Sequence, residues 1–178
     1  IPIPERQKTA QEIAREQKAK QVIATNELAA KFYQACLTKT PYGKAALDYL
    51  HNRGITDDII EDFSMGFAIN SFNGLMNALG KRGYNGEMLM QAGLAVPGKN
   101  GGAYDKFRGR VMIPIKDPRG RIVGFTGRIL GDGMPKYMNT GETEFFIKRY
   151  LLFGLDIAVN EIRKTRQAIV VEGHMDAI

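Results

Sequence analysis

Apolar positions are sparse at the start of the chain and then fall abruptly into helical spacing. Residues 5–21 are rich in Glu, Gln, Lys, Arg and Ala, with Ile13 the one large apolar residue. Such a composition favours helix but offers no face worth burying, so it predicts an exposed arm. From Val22 the pattern changes. Val22, Ile23, Leu28, Ala29, Phe32, Tyr33 and Cys36 recur close to a 3.6-residue period, which predicts an amphipathic helix that docks on a core, ended by Thr40-Pro41-Tyr42-Gly43. A second helix is predicted over 44–53, with Ala46, Leu47 and Leu50 on one side and Gly54 as its stop. Thr56 can cap a third, where Asp57 and Asp58 suit the positive end of the helix dipole and Ile59, Ile60 and Phe63 face inward. Two more short helices fit 71–81 and 86–92, the latter closed by Gly93.

Strand character follows. Leu94–Pro97 and Val111–Ile115 are short β candidates separated by the glycine-rich loop 98–102. Asp117-Pro118-Arg119-Gly120 is a strong turn signal between Val111–Ile115 and the run Ile122–Leu130, and together they read as a β-hairpin. At the end, Ala168-Ile169-Val170-Val171 reads as a strand apolar on both faces, as a parallel, helix-covered sheet requires. Glu172 would then stand at the strand's carboxyl end, Gly173 would allow a tight turn, and Asp176 would follow where a helix begins. Two acids so placed suit a hard divalent ion but supply fewer oxygen ligands than magnesium takes.

Composition narrows the chemistry. A chain of 178 residues that is 44% hydrophobic and 25% charged is an ordinary globular protein long enough for a real core. No run suits a membrane span, and Ile1-Pro2-Ile3-Pro4-Glu5-Arg6 does not resemble a signal peptide. Cys36, the single cysteine, has no internal disulfide partner and points to a reducing, cytoplasmic setting, and with only His51 and His174 beside it a zinc site of this chain's own is not expected. There is no Walker A loop, G-x-S-x-G elbow or G-x-G-x-x-G. His51, Glu61 and Asp62 read as solvated residues on outer helix faces.

Charge is uneven. Net charge is +6, and between Asp105 and Arg149 ten basic residues face five acidic ones. A polyanionic partner and a merely solvated basic face both fit that excess. Alternation would set Arg108 and Arg110 on one strand face, with Phe107 and Tyr137 as possible stacking surfaces. The segment Lys136-Tyr137-Met138-Asn139-Thr140-Gly141-Glu142-Thr143 gathers polar side chains with little hydrophobic purpose, as either a binding element or a plain polar loop would. A carboxylate cluster beside a basic groove is chemically sufficient for metal-assisted phosphoryl or nucleotidyl transfer.

Taken in order, Phe107–Ile115, Gly124-Phe125-Thr126-Gly127-Arg128, Lys136–Thr143, Phe153-Gly154-Leu155 and Val171–Asp176 resemble the catalytic core of bacterial DnaG-type primases. Upstream, Gly43–Leu50, Arg53-Gly54-Ile55 and Phe63–Phe67 are similar to that family as well, so the likeness runs from about residue 22 to the end. The resemblance implies an α+β fold: a helical arm over 1–21, a mixed N-terminal subdomain with several short helices and a small, largely antiparallel sheet over 22–149, and the first strand of a Toprim domain over 150–178. It implies an RNA polymerase that lays short RNA primers on single-stranded DNA from nucleoside triphosphates, using Mg2+ or Mn2+. Glu172 would be the first Toprim acid and a metal-linked catalytic residue, with Asp176 its companion, while Arg108, Arg110, Arg128, Lys136, Tyr137, Asn139 and Lys148 would line a basic groove for template and nucleotide phosphates.

His174 stands where the family usually has tyrosine. The later aspartate pairs that complete the Toprim metal site are not in this sequence, so the site around Glu172 is expected to be incomplete, with its remaining ligands beyond Ile178. The zinc-bearing module that precedes the family's core and the module that binds the replicative helicase are likewise not in this sequence. The expectation is a piece of a longer enzyme, inactive alone. Another Toprim enzyme, of topoisomerase or nuclease type, and a non-enzymatic single-stranded-DNA-binding module are the alternatives.

Overall fold

A computed structural model describes residues 8–99 and 101–178. Its first element is a single helix, α1 (Ala10–Thr38), of 29 residues. Thr9 caps it: the hydroxyl accepts from the Glu12 N–H at 3.2 Å, and the Glu12 carboxylate accepts from the Thr9 N–H at 2.8 Å. The expected division between arm and docking helix at residue 22 is therefore a change of exposure within one helix. No glycine or proline falls between Ala10 and Thr38, so nothing breaks the backbone where the apolar stripe begins. Residues 1–7 of the expected arm lie outside the described residues. Beyond Val22 the stripe of Val22, Ala29, Ala30, Tyr33 and Leu37 is buried.

After a 3-10 turn over Pro41–Gly43 come α2 (Lys44–Asn52) and α3 (Asp57–Asp62), the latter capped by Thr56 as expected. Gly54 takes a φ of +81° in the turn that ends α2, a conformation costly for any residue with a Cβ. The strand β1 (Gly66–Ala68), which the pattern did not announce, precedes α4 (Gly74–Gly80) and α5 (Gly86–Gln91). Two strands, β2 (Ala95–Pro97) and β3 (Ala103–Asp105), pair antiparallel around the glycine-rich loop. The predicted hairpin is β4 (Arg110–Lys116) and β5 (Ile122–Ile129), and Lys136–Thr143 contributes the edge strand β6 (Tyr137–Asn139). Order in the main sheet is β1-β4-β5-β6, antiparallel throughout.

Both faces of that sheet are covered, which explains why β4 and β5 read as near-continuous apolar runs. Met112 and Phe125 pack with Val22, Ala29 and Tyr33 of α1 and with Leu75, Leu79 and Leu89 of α4 and α5. Val111 and Ile113, on the opposite face, pack with Phe67 and with Leu37, Leu50, Ile55, Ile60 and Met65. Helix α1 lies so close to β1 that a Cβ on Gly66 would sit 2.5 Å from the Tyr33 carbonyl carbon. Asn26, buried in α1, donates to the Ile122 carbonyl at 3.2 Å and ties the helix to β5.

The hairpin turn is locked by one carboxylate. Asp117 Oδ1 accepts from the N–H groups of Arg119 and Arg121 at 2.9 and 3.0 Å, and Oδ2 accepts from Arg121 Nε at 2.8 Å. Burial pushes this carboxyl up, but the Arg121 guanidinium and the two backbone donors outweigh it and hold it below its ordinary value.

The α+β class is as expected, but the terminal strand is not found. Residues 167–171 pair with nothing as a strand, and Ile169 is 94% exposed. A strand's backbone donors and acceptors need a neighbouring strand, and among the described residues none lies alongside. An unpredicted helix, α6 (Leu155–Thr165), precedes this run, and its Asp156 approaches Lys116 of β4 at 4.0 Å.

Candidate functional site

The sheet's α2-facing side carries a ladder of alternating cations and rings. Arg128 on β5 lies over the Tyr137 ring of β6 at 5.2 Å and over the Tyr49 ring of α2 at 5.3 Å, and it donates a hydrogen bond to the Tyr137 hydroxyl. Arg53, one turn beyond Tyr49, lies over the same ring at 5.3 Å. Antiparallel register produces this: Arg128 is opposite Tyr137, and Thr126 is opposite Asn139. Arg128 is only 9% exposed, so its charge is held by the two rings rather than by an acid. Buried polar atoms without a partner gather on these same residues, among them Tyr49 Oη, Arg128 Nε, Thr126 Oγ1 and Asn139 Oδ1. Lys136, next to Tyr137, is exposed.

The remaining predicted cations separate. Arg108 and Arg110 do not share a strand face, because Gly109 between them has a φ of +59° and β4 starts only at Arg110. Arg110 is 4% exposed and its Nη1 donates to the carbonyls of Gly127 and Pro135 at 3.2 and 2.9 Å. Its guanidinium therefore fastens the 130–136 loop to the sheet and turns away from solvent, contrary to the expected place in a groove lining. Phe107 is buried core instead of a stacking surface. Arg108 lies against Phe72 and Tyr104. Lys148, in a 3-10 turn over Lys148–Tyr150, is exposed and close enough to Lys106 to repel it. Burial first, and Lys148 second, pull the Lys106 ammonium below its ordinary value, a strain that a bound anion would relieve.

The two terminal acids share a different place. Glu172 and Asp176 line a cavity of about 500 Å³ with Phe63, Phe153 and apolar residues of α6 and of the 168–171 run. Gly173 lets the Asp176 carboxylate fold back, since a Cβ there would meet Asp176 Oδ2 at 2.5 Å. His174 packs edge-on against Phe153 at 4.8 Å, and Phe153 stacks on Phe63 at 6.0 Å; burial lowers the imidazole's pKa. The described residues contain no group of three or more His, Cys, Asp or Glu able to hold a metal ion. Two carboxylates fit part of a hard-cation shell and no more. Ile178, past which the remaining ligands are expected, adds nothing to that shell: its side chain is apolar and, with Met175, packs half-buried against the core that holds Phe67 and Val111. The turn after Glu172 is thus anchored by hydrophobic contact, which places the acids without coordinating anything.

Tyr49, Arg53, Phe72 and Lys106 were not singled out from sequence as site residues. Tyr49 on α2 and Arg53, which caps its carboxyl end, are four apart, a spacing that places them on one side, and that pairing was the available signal. Among the described residues no helix is long and apolar enough to cross a membrane.

Fold and site together define an α+β domain with a cation-rich, aromatic sheet edge and a separate pair of acids. A family profile described as the N-terminal domain of the DNA primase catalytic core matches residues 32–159. The chain belongs to this family, the DnaG-type primase catalytic core. A curated DNA primase of Staphylococcus aureus is 45% identical over 159 residues, which are 89% of this chain and 26% of that protein. Among solved structures, a DnaG primase catalytic domain bound to single-stranded DNA superposes with a TM-score of 0.83 at 37% identity, covering 90% of this chain and 52% of that one. The zinc-binding and RNA polymerase domains of Aquifex aeolicus primase give 0.80 at 34% identity, covering 89% and 38%. This chain thus spans about a quarter of its curated relative and half of the solved catalytic domain. The family found is primase, which disfavours the topoisomerase and nuclease alternatives.

Proposed function

We propose that this chain is the template-holding part of a primase core, and that the protein to which it belongs joins nucleoside triphosphates into short RNA primers on single-stranded DNA during replication. The ladder of Arg53, Tyr49, Arg128 and Tyr137 beside exposed Lys136 carries the reading. Cations without acid partners attract phosphates, and rings among them accept unpaired bases. In this reading Lys136 and Lys148 contact phosphates. Arg128, fixed between two tyrosines, presents its charge at a set position, and Asn139 lies beside it on β6. Arg110 supports the loop that carries Lys136.

Glu172 and Asp176 supply the first carboxylates of a magnesium or manganese site in the full-length enzyme, where such an ion would activate the attacking hydroxyl and neutralise the leaving phosphate. The residues of this chain do not complete that shell, so the remaining ligands come from beyond Ile178 and the chain by itself binds template without polymerising. Residues 1–21 act as an arm, 22–149 as the groove and 150–178 as the entry to the metal-binding domain. Zinc belongs to a preceding module, and the replicative helicase binds elsewhere in the full-length protein. The setting is the bacterial cytoplasm.

Primer synthesis by the full-length enzyme carrying Glu172→Gln tests the assignment. Activity should fall by at least about a hundredfold while affinity for single-stranded DNA stays within about twofold, both on the order expected when a metal-linked carboxylate is lost without loss of the groove. Synthesis at the wild-type rate would remove Glu172 from the chemistry.

A further inference from the structure

A second concavity lies between the middle of α1 and the turn of the β4–β5 hairpin, and none of its lining residues belongs to the ladder of Arg128 and its rings. Local chemistry builds its outer wall. Thr143 Oγ1 accepts from the N–H groups of Phe145 and Phe146 at 3.2 and 3.0 Å, and Thr143 and Phe146 pair as an isolated bridge. Phe146 is thereby turned inward onto Ile115 and Val123, where Gly124 leaves space for its ring. Its neighbours Phe145 and Ile147, with Tyr150 and Leu151 further on, instead line a cavity of about 230 Å³ shared with Val22 and Ile23 of α1. Tyr150 is 68% exposed and Ile147 36%, so this wall is apolar and uncovered.

The rim is cationic. Its two acids are already engaged, Glu144 by Arg15 and Lys18 at 3.0 and 3.4 Å and Asp117 by Arg121 at 2.6 Å, while Arg149 lies over the Tyr150 ring at 4.8 Å. Four cations therefore surround two acids above an apolar floor. The cavity falls below the range of about 300–1,000 Å³ that encloses small-molecule ligands, but it takes one or two apolar side chains of a peptide. Nucleic acid would leave the apolar lining unfilled and bring phosphates up to Glu144 and Asp117. A second copy of the chain, itself at +6, is repelled. We infer that this groove docks a short acidic segment of a partner protein, which seats an apolar side chain between α1 and Tyr150 and sets its carboxylates against Arg15, Lys18, Arg121 and Arg149. The site is separate from the template groove proposed above and leaves that groove free to work while the partner is bound.

Selection of a random peptide library on the immobilised full chain, in saturating oligothymidylate so that other cations are occupied, tests this. The enriched peptides should carry a large apolar residue flanked by Asp or Glu. A labelled peptide of that consensus should shift the methyl resonances of Val22, Ile23, Val123 and Leu151, and its affinity should fall as salt rises. Tyr150→Ala should weaken it by at least about tenfold and Arg149→Glu by about fivefold, whereas Tyr150→Phe should stay within about twofold. Both positions are exposed, and circular dichroism confirms that each variant is folded. Affinity of each variant for single-stranded DNA should not change, which separates this site from the template groove. No enrichment, a consensus without acids, or peptide binding indifferent to Tyr150→Ala would overturn the docking site and leave the groove standing. Self-association of the chain that Tyr150→Ala abolishes, or oligothymidylate shifting the same methyls, would assign the surface to a second copy or to nucleic acid and overturn it as well.

Discussion

Arg110 and Lys136 carry the same charge and neighbour the same loop, yet opposite consequences are expected from their removal. Arg110→Ala removes the charged donor that the Gly127 and Pro135 carbonyls share, together with a stem packed over Gly127, where a Cβ would already lie 3.1 Å from Arg110 Cδ. A hydrogen bond from a charged group contributes about 1.5–3 kcal/mol, so about 3 kcal/mol for the guanidinium's bonds and the packed stem is a moderate expectation. With a urea m-value of about 2 kcal/mol/M, the unfolding midpoint should fall by about 1.5 M. Lys136→Ala, at an exposed position, should move stability by less than about 0.5 kcal/mol. Its effect belongs to binding: one phosphate contact fewer lowers the salt slope on single-stranded DNA by about 0.7.

The assay has two axes, urea denaturation by far-UV circular dichroism, since the chain has no tryptophan, and oligothymidylate anisotropy at several salt concentrations. Arg110→Ala should move along the first axis alone and Lys136→Ala along the second alone. An Arg110→Ala variant with an unshifted midpoint and a slope lowered by about 0.7 would show that the guanidinium faces phosphate, and the reasoning from its burial would fail.

Gly66→Ala should destabilise by more than about 3 kcal/mol in the same denaturation assay, because the new methyl meets the backbone of α1 at Tyr33, which cannot swing aside as a side chain would. Asp117→Asn should flatten the acid limb of stability against pH. The Asp117 carboxyl is held below its ordinary value in the folded chain, so its contribution is present at neutral pH and is lost as pH falls from the ordinary carboxylate range through that lowered value. Thermal melts between about pH 6 and pH 2 check this, and parallel curves for variant and wild type would refute it.

Elements with local signals were legible from the sequence. Thr56, the Asp117-Pro118-Arg119-Gly120 turn and the apolar runs of β4 and β5 each specify their structure within a few residues. Strands β1, β3 and β6 are three residues long and exist because neighbours pair with them, which no local pattern records. The run Ala168–Val171 shows the converse, strand composition without a strand alongside. Site residues were legible by type but not by role. Along the sequence Arg108, Arg110 and Arg128 are three equivalent cations; Gly109's positive φ, the acceptors around Arg110 and the tyrosines around Arg128 separate them. Tyr49 and Arg53 became visible as part of the site only when α2 was laid against β5.

The unbroken α1 has a mechanical consequence. Its 29 residues span about 43 Å, and the stretch ahead of Val22 projects about 18 Å from the docked part. Such a shaft is a lever with its fulcrum near Val22: a rotation of about 5° carries Ala10 through about 1.6 Å. The stop is electrostatic, with Arg15 and Lys18 meeting Glu144 at 3.0 and 3.4 Å. Exposed ion pairs of this kind contribute about 0–1 kcal/mol and fade with salt, so the stop is soft. Glu144 stands four residues before Lys148. A pull on the shaft's N-terminal end is therefore delivered next to Lys148, one of the cations proposed above to contact phosphate.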